Sequence, residues 1–208
     1  MQEHLNNLKE IRSLMEKSSK FISLSGLSGV FAGLVALGAA SVLFAKRGGL
    51  NTSTTVFLDI PFLETSSLSF ILLLALVTLV LAIAGGLFFT WRKTIKASQP
   101  FWSPMSKKLA VSLSIPLIVG AIFCLALMKS GAIQLVPEAT LIFYGLALVN
   151  ASQHTYRDVY YLGLSEIGLG LGALFVTGYT LLFWAFGFGV LHIVYGISMY
   201  YKYDRPSV

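Results

Sequence analysis

The chain is poor in the residues that most chemistry needs. It has one cysteine, Cys124, and that residue sits inside an apolar run. An internal disulfide framework and a multi-cysteine zinc site are therefore excluded. The histidines are His4, His154 and His192, and no two share a helix turn, so a metal would have to be held across helices and none is expected. There is no His-Glu-x-x-His, no phosphate-binding glycine loop and no Gly-x-Ser-x-Gly. Charge is scarce as well: Asp, Glu, Lys and Arg make up 12% of the 208 residues, about half the usual share of a soluble domain. These shortages argue against a disordered chain, a nucleic-acid-binding domain and a soluble enzyme. No cofactor is implied.

What the chain has instead is apolar length. Hydrophobic residues make up 56% of it, and the mean hydropathy is +0.78. A soluble core of this size cannot absorb that surface, whereas membrane helices of ~20 apolar residues can. Six runs of that kind fall out in order, at 21–45, 67–90, 109–128, 136–151, 159–177 and 180–201. Backbone amides in lipid must bond within their own element, and the runs do not alternate as barrel strands would, so helices are expected. The fold class read from these runs is all-α: a polytopic bundle of six transmembrane helices arranged as three hairpins. The first run is too long, and preceded by too much charged chain, for a cleaved signal peptide. The division is a cytoplasmic amphipathic segment at 1–20, a six-helix domain at 21–203 and a short tail at 204–208. In the first segment Leu5, Leu8, Ile11, Leu14 and Met15 recur at helical spacing.

Lysine and arginine set the orientation. The N-terminal segment, the loop after the second run, the loop after the fourth and the C-terminus together hold twelve of the fifteen, leaving Lys46, Arg47 and Lys129 on the other side. Both termini are thus expected in the cytoplasm of a cell with a multi-pass inner-membrane protein. Trp91, Trp102, Tyr156, Tyr160, Tyr161, Tyr200, Tyr201 and Tyr203 fall at the same ends, as an interfacial belt should. The net charge of +6 is then the positive-inside bias and requires no nucleic acid. The partners to expect are the bilayer, anionic lipid at its cytoplasmic face, and a second copy or another membrane protein.

The runs share motifs. Gly26-Leu27-Ser28 followed by Gly33 in the first matches Gly163-Leu164-Ser165 followed by Gly170 in the fifth. Ile83 to Gly86, Ile142 to Gly145 and Ile193 to Gly196 share an isoleucine followed three residues later by glycine. The physical reading of these glycines is close helix packing, since small residues let backbones approach where lipid supplies no hydrophobic drive. Two segments, Ala139-Thr140-Leu141-Ile142-Phe143-Tyr144-Gly145-Leu146-Ala147-Leu148 and Phe183-Trp184-Ala185-Phe186-Gly187-Phe188-Gly189-Val190-Leu191-His192-Ile193, carry a resemblance. Over 115–203 the chain resembles a family of small six-helix bacterial inner-membrane proteins with no known activity. That resemblance implies a fold and a membrane, and no chemistry. The glycine-rich hairpins alone give a weaker similarity to six-helix acid-resistance membrane proteins.

The candidate site residues are the ionisable ones at membrane depth. Glu166 lies eight residues past Asp158, or ~12 Å along a helix, and His192 lies ten before Lys202, or ~15 Å. With Tyr195 one turn further on, Glu166, His192 and Tyr195 form a candidate intramembrane cluster between the last two helices. A lone carboxylate in lipid is costly and needs a partner or a proton. Such a cluster is either a proton or ion relay or a polar lock between helices, and the lack of a second deep acid favours the lock. His154, Arg157 and Asp158 form a candidate cytoplasmic interface loop. The function expected is a non-enzymatic packing, sensor or accessory module. The alternative is a small transporter or channel using Glu166 and His192. An enzyme is not expected, because no nucleophile, base and metal converge.

Overall fold

The computed structural model describes residues 25–46, 68–96, 101–176 and 178–204. The amphipathic segment at 1–20, the loop at 48–66 and residues 205–208 lie outside the described residues. Six long helices and no strand occur among the described residues: α1 (Gly26–Lys46), α2 (Leu68–Lys96), α3 (Pro104–Lys129), α4 (Val136–Ala151), α5 (Arg157–Phe175) and α6 (Thr180–Asp204). All of α1, α2, α3 and α6, and α4 with its flanking 3₁₀ turns, are long and apolar enough to cross a membrane. The exception is α5, the most polar of the six, which carries Arg157, Asp158 and Glu166. The chain is thus an all-helical bundle of membrane type.

The expected helix ends move outward where capping favours it. α3 begins at Pro104, five residues before the expected start, because Ser103 caps it: its hydroxyl accepts from the Ser106 amide and the Ser106 hydroxyl accepts from the Ser103 amide. α4 keeps its expected bounds, with Pro137 and Glu138 in its first turn, where a missing N–H and a negative charge are tolerated. α6 runs to Asp204, one residue into the segment assigned to the tail.

The helices form two groups of three. In one, α1 packs between α2 and α6; in the other, α4 packs between α3 and α5. The first two expected hairpins, α1 with α2 and α3 with α4, are therefore present. The last is only loosely packed: α5 and α6 are joined by a turn with Gly178 at φ +87°, but each packs chiefly on another helix. The glycines explain the choice. A Cβ on Gly145 would lie 2.6 Å from the Gly163 carbonyl oxygen, and one on Gly163 would lie 2.7 Å from that of Gly145. On the other side, a Cβ on Gly196 would lie 2.6 Å from the Gly26 carbonyl oxygen. Seven residues on, Gly33 meets Gly189 and Ile193, just as Gly170 meets Glu138 and Ile142. The motifs shared by the first and fifth runs therefore make the same antiparallel crossing twice, α1 on α6 and α5 on α4. The third isoleucine–glycine copy is left open, with nothing within 4 Å of a Cβ on Gly86.

Pro116 lies inside α3. It has no N–H, so the carbonyl of Ser112, four residues back, loses its helical partner. Asn150 on α4 fills the gap, its Nδ2 donating to that oxygen at 2.7 Å. One side chain thus repairs the helix and fastens α3 to α4. Asn150→Leu should destabilise the bundle by about 1–3 kcal/mol by orphaning that carbonyl. In a Pro116→Ala background, where the amide N–H returns, the same change should cost markedly less. Unfolding in mixed micelles measures both, and equal costs in the two backgrounds would refute the pairing.

Candidate functional site: a buried carboxylate–imidazole–phenol cluster

The centre of the bundle holds a polar cluster at the meeting of α4, α5 and α6. Glu166 is 0% exposed and His192 5%. Glu166 projects from the glycine-bearing face of α5. His192 follows a stretch of α6, Ala185–Leu191, that widens into π-helical turns. Such turns occur often at functional sites because they re-aim side chains and free backbone groups. Here the widened stretch brings the carbonyl of Gly187, five residues back, against the imidazole: Nδ1 lies 3.0 Å from that oxygen. A carbonyl only accepts, so Nδ1 carries the proton. In the neutral ring Nε2 is then an acceptor, and Tyr144 on α4 donates its hydroxyl proton to it at 2.8 Å. Phe188 stacks on the imidazole at 5.9 Å, and Tyr144 and Trp184 each lie 5.1 Å from Phe188. The ring is held on three sides.

Glu166 is placed differently. Its Oε1 lies 3.4 Å from His192 Nδ1, but the imidazole proton is committed to Gly187, and neither carboxyl oxygen has a hydrogen-bond partner among the described residues. The missing side chain of Gly187 makes the room, since a Cβ there would sit 2.5 Å from Glu166 Oε2. A carboxylate in that position holds its charge only against a facing cation, and His192 is the neighbour able to become one.

A second buried acid stands close by. Glu138, in the first turn of α4, is 3% exposed. Thr180 at the start of α6 donates its hydroxyl to Oε1 at 2.7 Å, while Oε2 has no partner among the described residues. The Glu138 backbone packs on Gly170, one turn along α5 from Glu166. By its place in the chain Glu138 is an ordinary first-turn acid of α4, where negative charge is favoured. Its membership of an inter-helix network depends on where α6 begins, which no local pattern reports.

Tyr195 does not join the hydrogen bonds around His192. It packs against Leu148, Val159 and Leu162 and faces Gly29 of α1. Tyr144 takes the place expected of it, and the signal was present: both tyrosines follow the motif isoleucine by two residues. The three loop candidates separate. Asp158 accepts from Lys202 at 2.9 and 3.0 Å and from Tyr203 at 2.8 Å. Arg157 lies 5.7 Å from the Tyr161 ring centre. His154 lines a surface groove with Lys107 and Lys108. Nearby, Asp204 accepts from the Gly26 amide at 2.8 Å and pairs with Lys93 at 2.6 Å. Tyr156 stacks on Tyr203 at 4.0 Å, and burial pushes its phenol up to about 12, so it stays a neutral hydroxyl. The end of α6 thereby ties down α1, α2 and α5.

No protein-family model matches the chain. No curated protein and no solved structure matches it significantly. Among the described residues no group of three or more His, Cys, Asp or Glu is placed to hold a metal.

Tyr144→Phe should cost about 1–3 kcal/mol, because it leaves a buried imidazole nitrogen without its donor. Tyr195→Phe should cost clearly less. Thermal unfolding in detergent measures the order, and the reverse order would show that the cluster is assigned to the wrong tyrosine.

Proposed function

We propose that the chain is a six-span, multi-pass inner-membrane protein with both termini in the cytoplasm, acting as a non-enzymatic packing, sensor or accessory module. The observation that carries this reading is the burial of Glu166 and His192 against each other. A transport site needs access from a membrane face, whereas these two side chains fill the contact between three helices. Their role is a polar lock that fixes α4, α5 and α6 in one register.

The sixth span is α5. Its 19 residues extend ~28 Å, close to the ~30 Å hydrocarbon core. Its charges Arg157 and Asp158 lie at one end, and Glu166 faces protein instead of lipid. The ion pairs of Lys93 with Asp204 and of Lys202 with Asp158 draw the starts of α1 and α5 and the ends of α2 and α6 to one end. This is the alternation that six spans with both termini on one side require. Single cysteines at Ser53 and Ser98, in a Cys124→Ala background, report the sidedness. Position 53 should label from outside intact cells and position 98 should not; labelling at 98 would reject the topology.

A second reading, a proton-coupled transporter, draws support from Glu138. It is a second buried acid with a free oxygen, and its backbone packs on Gly170, one turn along α5 from Glu166, which offers the neighbour that a relay needs. Variants of Glu166 separate the readings. If the cluster is a lock, Glu166→Gln should keep most of the stability, because an amide still meets the polar neighbours. Glu166→Leu should then be clearly the less stable of the two, because it removes the polar contact with His192 Nδ1 at 3.4 Å. A Gln variant of normal stability that loses pH-dependent flux in proteoliposomes would establish the transporter instead.

A further inference from the structure

The groove beside His154 belongs to none of this. It is an open depression of about 280 Å³ lined by Lys107, Lys108, Val111, Ser112 and His154, where the start of α3 meets the loop between α4 and α5. Both lysines are exposed, and neither has an acidic partner among the described residues. They lie in the first turns of a 26-residue helix whose first turn has no acidic residue. The positive end of the helix dipole therefore adds to their charge instead of opposing it. At the other lysine-rich contacts, Lys93 and Lys202, a carboxylate is supplied by the protein itself.

What continues from the groove identifies the ligand. Val111 forms its lower wall, and Val111, Ile115, Ile118, Ile122 and Leu125 follow at alternating four- and three-residue steps, which places them on one face of α3. All five are exposed apolar side chains. Trp102, 67% exposed, sits just before the helix and marks the interfacial level. The order along the surface is thus an aromatic at the interface, cations just below it, then a straight apolar track. An amphiphile with an anionic head and a hydrocarbon tail matches that order throughout, whereas a small free anion matches only its cationic part.

We propose that this face of α3 is a binding site for an anionic phospholipid. Its phosphate lies on Lys107, Lys108 and His154, and one acyl chain lies along Val111 to Leu125. This rests on the membrane reading of the bundle and is independent of the Glu166 lock, so the detergent unfolding of Glu166 variants and the lipid measurement fail separately.

The test is the relative association of spin-labelled phosphatidylglycerol and phosphatidylcholine with the full chain in vesicles of phosphatidylcholine. The native protein should prefer the anionic lipid. Lys107→Gln with Lys108→Gln should lower that preference by roughly 25-fold, since each interfacial lysine is worth about a factor of five. Lys107→Arg with Lys108→Arg should retain it and shows that the position tolerates substitution. Lys96→Gln with Arg157→Gln removes the same charge from the same end outside the groove and should leave the preference within about twofold. Equal losses in the two Gln pairs would mean general surface charge, and no preference in the native chain would mean no site. Inorganic phosphate at millimolar concentration should not displace the lipid; full displacement would mean a small-anion site. Each of these three results overturns the proposal.

Discussion

The rest of the structure depends on how closely helix backbones approach at their glycines. In lipid, burying one more leucine gains little, because the tails around it are as apolar as the side chain. What distinguishes one helix pair from another is contact distance, and only a residue without a side chain permits the shortest. Gly145 against Gly163, and Gly26 against Gly196, each bring a carbonyl to where a Cβ would stand. These crossings select α4 as the partner of α5 and α1 as the partner of α6. The connected pair, α5 and α6, is left as neighbours of lesser contact. Chain connectivity proposes pairs, and here the glycine faces override it at the last turn.

The polar cluster follows from that approach. Glu166 is one residue of the face that carries Gly163 and Gly170, so drawing α5 onto α4 carries the carboxyl inward. Gly187 and the widened turn of α6 then provide the space and the carbonyl that orient His192. Tyr144 reaches it because it precedes the crossing glycine, Gly145, by one position. The close contact that fixes the helices thus also removes water from around the acid. The bonds of His192 to Tyr144 and to the Gly187 carbonyl hold the arrangement, since a shift in register of α4 against α6 would strand the imidazole.

The two ends of the bundle use different physics. At the lysine-rich end the α6 terminus gathers charges: Asp204 caps α1 and pairs with Lys93, while Asp158 collects Lys202 and Tyr203. These contacts lie at the expected water boundary, where each ion pair alone contributes little. As a connected set they bring four helix ends to one level. The interior lock and the terminal clamp together position α6 along its length. α2 and α3, by contrast, present long exposed apolar faces.

The sequence alone determined the class of the protein, because apolar length and scarce charge are sums over residues and need no geometry. It also placed most helix bounds within a few residues, located Glu166 and His192 in one cluster, and marked the matching glycine motifs. Each of these is a local property or a spacing along one helix. What it could not determine is which helix faces which. Tyr144 and Tyr195 occupy the same motif position, and only the packing of the helices gives the first the hydrogen bond to His192 and turns the second toward Gly29 of α1. Glu138 reads as an ordinary first-turn acid until α6 brings Thr180 beside it. Asn150 reads as a polar residue near a helix end until Pro116 on another helix leaves a carbonyl for it to serve. Partners of this kind lie tens of residues apart, and in a membrane all helices are similarly apolar. The choice among them is therefore made by backbone contact distance and by the pairing of buried polar groups, which exist only once the helices have packed.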